Sequence, residues 1–130
     1  MKKPKIKVTI TKENKGYSAH ALVKNNFIAS EAESFKEMLT KILEAIDFTF
    51  ENQGFKYSLE EIQFIYDLES FFDYYKVINA KALSERIGMN QSLLAQYIKG
   101  IKKPSIAQTK RIMTGIQQIG LELSEVQLLF

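Results

Sequence analysis

The chain has 130 residues, enough for one domain or two small ones, and its 45% hydrophobic and 25% charged residues exclude a disordered composition. It contains no run of about 18 apolar residues, which excludes a helical membrane span. It has no cysteine, which excludes disulfides and thiolate chemistry.

The start, MKKPKIKV, carries lysines but no following apolar region, so a cytoplasmic protein is expected. The net charge of +3 is unevenly distributed. From Glu31 to Tyr75 there are eleven Asp/Glu against three lysines, a balance of −8. From Ala80 to Arg111 there are seven Lys/Arg against one acid, a balance of +6. The basic part is suited to a polyanion, and the acidic part to water or a basic partner.

In chain order, Lys5 to Thr11 alternates, placing Ile6, Val8 and Ile10 on one face of a strand. Glu13 to Gly16 is a turn, Tyr17 to Val23 a second strand, Lys24 to Asn26 another turn, and Phe27 to Ser30 a short third strand. These three predict an antiparallel meander with one wet face. Ser34 to Glu37 is a capping-box sequence, and Phe35, Met38, Leu39, Ile42, Ile46 and Phe50 recur at helical spacing to about Glu51. The segment from Ser58 has two signals. Ser58-Leu-Glu-Glu61 favours a helix, whereas alternation over Ile62 to Tyr66 favours a strand, and the strand is preferred. A helix from about Leu68 to Tyr75 follows, with a domain boundary near Asp67 that divides the chain into 1–67 and 68–130.

Ala80 to Lys99 is the most informative stretch. Leu83 and Ile87 share one face of a short helix, Gly88 stands where a helix end wants positive φ, and Asn90 caps a second helix with Leu94, Tyr97 and Ile98 buried. This is a helix-turn-helix pattern, whose second helix enters a DNA major groove. The candidate DNA-reading set is Asn90, Gln91, Ser92, Ala95, Gln96 and Lys99, with Gln91 and Gln96 suited to base edges. Lys99, Lys102, Lys103, Lys110 and Arg111 are candidate phosphate contacts. Ser105 to Gln108 is another capping box, and Ile112, Ile116 and Ile119 stripe a last helix to about Gly120. The apolar end, Leu128-Leu129-Phe130, is expected to dock on something.

Catalysis has little to draw on. His20 is the only histidine, there is no zinc-type cluster or phosphate cradle, and the first strand holds no carboxylate for a metal-dependent nuclease. No enzyme activity, cofactor or metal is expected.

Gly88 to Ser92 and Gly100 to Ser105 resemble the turn and following loop of the Cro/phage-repressor helix-turn-helix family. Gly16-Tyr17-Ser18-Ala19, Ser34 to Leu39, Glu44-Ala45-Ile46 and the stretch IQFIYDLESFFDYY resemble HicB-type antitoxins. The second resemblance implies an α+β fold with a truncated RNase H-like domain: three antiparallel strands, a helix and a fourth strand, followed by an all-α helix-turn-helix domain. It also implies a function. The N-terminal half would neutralise a small basic HicA-type mRNA interferase, and the C-terminal half would repress the operon as a homodimer or tetramer on a palindromic operator. The alternative is a stand-alone repressor whose N-terminal half senses a ligand or only dimerises.

Overall fold

A computed structural model describes residues 2–130. Four strands, β1 (Ile6–Lys12), β2 (Tyr17–Val23), β3 (Asn26–Ala32) and β4 (Ile62–Tyr66), form one sheet in the order β3-β2-β1-β4. The helices are α1 (Phe35–Thr49), α2 (Leu68–Tyr74), α3 (Ala80–Ile87), α4 (Gln91–Ile98) and α5 (Ile106–Ser124). The chain divides into two compact units, one ending at Tyr74 and the next beginning at Tyr75.

The sheet corrects the expected architecture. It is not a three-stranded antiparallel meander with a strand appended, but a mixed sheet in which β4 pairs parallel with β1, Ile6 opposite Ile62 and Ile10 opposite Tyr66. The reason is the connection. Antiparallel strands close through short turns, and Val23 lies opposite Asn26 across a two-residue loop with Lys24 at φ 56°. A parallel neighbour needs a crossover of a dozen or more residues, and α1 supplies it between β3 and β4. A separate all-α helix-turn-helix domain is not evident either. The five helices are shared between the units, and α2, expected to open such a domain at Leu68, packs on β1 and β4.

One face of the sheet is covered by α1. Ser34 Oγ accepts the Glu37 N–H at 3.1 Å and starts the helix, whose Phe35, Met38, Ile42 and Ile46 are buried. They meet Ile6, Val8 and Ile10 of β1, Ala19, Ala21 and Val23 of β2, and Ile28 of β3. Each Val, Ile, Met or Phe among them contributes about 1.5–3 kcal/mol on burial, and the alanines less. The opposite sheet face carries His20, Leu22, Phe27 and Ile65, all exposed. The His20 ring stacks on that of Phe27, with centroids 6.0 Å apart.

Both signals at Ser58 are realised in succession. Leu59–Glu61 is a single 3₁₀ turn, with Glu61 Oε1 accepting the Ser58 N–H at 3.0 Å, and β4 begins at the next residue. Lys3 Nζ donates to Glu61 at 2.7 Å and holds its carboxyl below the usual range, while Tyr57 donates to Pro4 O at 2.6 Å.

The end of β1 is fastened to α2 by polar side chains. Asp67 accepts from Ser70 N at 2.8 Å, from Ser70 Oγ, and from Lys12 N at 3.3 Å. Asp73 accepts from the Tyr17 hydroxyl and from Lys12 Nζ at 3.3 Å. Burial first, then the hydrogen bond to Asp73, pushes the Tyr17 phenol above its ordinary value. Tyr17 meets Phe35 edge-on, and Phe35 stacks on Tyr74 with centroids 3.8 Å apart, so aromatic contacts back the polar ones. Among the described residues, no helix is long and apolar enough to cross a membrane.

Asp67→Ala removes the cap of α2 and takes the side-chain acceptor from Lys12 N, while the buried Ser70 hydroxyl keeps Ile10 O at 3.3 Å, so it lowers stability by about 1–2 kcal/mol. Urea denaturation followed by circular dichroism measures this, and an unchanged midpoint would refute the fastening role.

Candidate nucleic-acid interface

The second unit is built on two eight-residue helices and one of nineteen. Short helices need their orphan amides satisfied, and each here has a side-chain cap. Asn79 Oδ1 accepts from Ala82 N at 2.9 Å, Asn90 Oδ1 from Leu93 N at 3.1 Å, and Ser105 Oγ from Gln108 N at 3.1 Å. Between α3 and α4 the chain turns at Gly88, φ 67°, in the left-handed region where a side chain would be strained. Met89 N then donates to Ser84 O at 2.9 Å, and Asn90 opens α4. Leu83, Met89, Leu94 and Ile112 form the small core. Ser84 is buried with them, its hydroxyl donating to Lys81 O at 2.6 Å.

Burial of Leu94 turns the other side of α4 outward. Gln91 and Ser92 are exposed in its first turn and Lys99 just past its end, with Ala95 and Gln96 half-buried between them. The spacing of Gln91, Ser92, Ala95, Gln96 and Lys99 puts them on one continuous side of the helix. Asn90 is exposed, but its side-chain oxygen serves the cap. Lys102 and Lys103 are exposed in the loop after α4, where the Ile101 and Lys102 amides close onto Gln96 O at 2.9 and 3.3 Å.

Arg111 is exposed, but its guanidinium is engaged by backbone carbonyls of its own unit. Its Nη2 donates to Ile87 O at 2.8 Å and Gly88 O at 2.7 Å, and its Nε to Ile87 O at 3.1 Å. A guanidinium here answers the unsatisfied carbonyls at the C-terminus of α3. Lys110 is exposed on an open groove between α3 and α5, together with Arg111 and Arg86.

Arg86 is absent from the candidate set because its role depends on a partner 36 residues away. Its two terminal nitrogens donate to the two Glu122 oxygens at 2.9 and 2.6 Å. The pair holds the Glu122 carboxyl below its usual range and raises the Arg86 guanidinium. Gly115 is a second feature that periodicity does not reveal. A Cβ there would overlap Ile87 Cγ2 and sit 3.3 Å from Leu83 Cδ1, so its absence lets α5 lie close against α3. His20 lies on the exposed sheet face of the other unit, and among the described residues no three metal-ligating side chains cluster.

Comparison with protein-family models, with curated proteins and with solved structures found no match in any of the three.

The glycines of α5 give a paired test of the α3–α5 contact. Gly115→Ala gains about 1 kcal/mol of helix propensity but overpacks at a cost of about 1–3 kcal/mol, so the melting temperature falls or at best holds. Gly120→Ala, with nothing within 4 Å of its Cβ, gains the propensity alone and melts higher. Equal stabilisation by both would contradict the close approach at Gly115.

Proposed function

We propose that the chain is an antitoxin and repressor of a type II toxin–antitoxin pair. Its second unit reads a palindromic operator through α4. Its first unit holds a small basic toxin, an mRNA interferase of the HicA type. The observation that carries the reading is the exposed, uncommitted side of α4: a short helix, fixed from behind by Leu94 and at its start by Asn90, with Gln91 and Ser92 facing outward. Such a helix supplies amide groups to base edges, and Lys99, Lys102, Lys103 and Lys110 supply charge to phosphates. Arg111 is assigned to the α3 terminus, and its contribution to DNA binding is through the shape of the turn.

The toxin half rests on charge and on the resemblance to HicB-type antitoxins. Eight of the eleven acidic residues between Glu31 and Tyr75 are exposed. A small enzyme that grips RNA carries positive charge, and an acidic surface attracts it and speeds the encounter. A hairpin of this size contacts one half-site, so two copies are needed on a palindrome, in a cytoplasmic setting where both nucleic acid and toxin are present.

Two measurements test the halves separately. On operator DNA, Gln91→Ala loses about 1–3 kcal/mol and relaxes preference at one base pair, whereas Lys102→Ala weakens all sequences alike and flattens the salt dependence. Equal losses on operator and random DNA for Gln91→Ala would contradict the assigned readout. For the partner, tagged chain purified from its native host carries a small basic protein in stoichiometric amount. A chain that binds operator but brings down no such protein is a stand-alone repressor.

A further inference from the structure

α5 outgrows what supports it. At about 1.5 Å per residue it is about 28 Å long, against about 12 Å for α3 or α4. Its apolar stripe, Ile112, Ile116, Ile119 and Leu123, follows the i, i+4, i+7, i+11 spacing of a single face. Burial declines along that face. Ile112 is 1% exposed, Ile116 and Ile119 are half-buried, and Leu123 is 61% exposed. The last side chain of α5 tied to α3 is Glu122, through Arg86. Beyond it, Val126, Leu128, Leu129 and Phe130 are 56, 78, 102 and 115% exposed. The apolar end therefore does not dock within its own unit, and α5 itself runs past Gly120 to Ser124.

We propose that this end of α5 and the segment after it pack against the same surface of a second copy of the chain, as a two-fold symmetric dimer. Two features single out that occupant. Leu123 and the four apolar residues after it leave on the order of 800 Å² open, about what each partner of a standard stable interface contributes. Charge is nearly absent: from Ile112 to Phe130 the charged side chains are Glu122 and Glu125, and Glu122 is neutralised by Arg86. Depletion of charge is the mark of an interface core, and of the charges on this stretch Glu125 alone is left uncompensated when two identical surfaces meet. A lipid surface is a poorer fit, because helices that lie on membranes carry Lys and Arg beside the apolar stripe and this stretch has none.

The inference needs neither toxin nor operator, so its test is independent of the proposed function. Sedimentation equilibrium of the full chain gives about twice the 15.0 kDa chain mass. The double substitution L123E/L128E, at positions already exposed, gives the single mass with an unchanged far-ultraviolet circular dichroism spectrum. L121E, on the opposite side of α5 from the stripe, stays dimeric. A wild-type chain of single mass at high micromolar concentration, or a dimer that survives L123E/L128E, overturns the proposal. So does wild-type monomer whose tail amides are protected from hydrogen exchange, since the occupant would then be the chain itself.

Discussion

The first unit depends on one strand being able to hydrogen-bond on both sides. β1 pairs antiparallel with β2 and parallel with β4, and its Ile6, Val8 and Ile10 are 0–1% exposed. A strand in that position has no free edge, so each neighbour must arrive in register. β2 arrives through a short turn. β4 arrives only after the chain has crossed the sheet in α1, and the same helix covers the apolar face that the crossing would otherwise leave bare. Connection and core are one solution to one requirement.

Where β1 ends, its polar backbone and side chains must find partners, and α2 provides them. Ile10 O accepts from Asp67 N at 3.1 Å and from Ser70 Oγ at 3.3 Å, and Lys12 reaches both Asp67 and Asp73. The two aspartates are thus occupied as acceptors at a strand–helix junction. Both carboxylates are satisfied within the fold, by a serine hydroxyl, a tyrosine hydroxyl, a lysine and two backbone amides.

The second unit meets a different limit. Helices of eight residues are marginal by themselves, and their persistence depends on caps, on a few buried aliphatic side chains and on the long α5 behind them. Arg111 and Gly115 serve that purpose from the same helix. One neutralises the carbonyls at the end of α3, and the other removes the side chain that would push α3 away. The consequence for α4 is that its support lies entirely on one side, which leaves Gln91 and Ser92 outward.

What the sequence determined by itself is whatever has a local cause. Period-2 alternation located β1 and β4, the turn at Glu13 to Gly16 located β2, and period-3.6 stripes located α1, α3 and α4. Side-chain caps at Ser34, Asn90 and Ser105, with Gly88 at the turn, placed the helix ends. The outward residues of α4 followed from the same spacing. Boundaries slipped where local cost was small: a helix tolerates Gly120 for about 1 kcal/mol, so α5 continues to Ser124. Only tertiary structure decided the partner of β4, the placement of α2 with the sheet, the engagement of Arg111, the Arg86–Glu122 pair and the need for glycine at 115. Each joins residues 20 or more positions apart, and no periodicity within one element records which distant surface that element will meet.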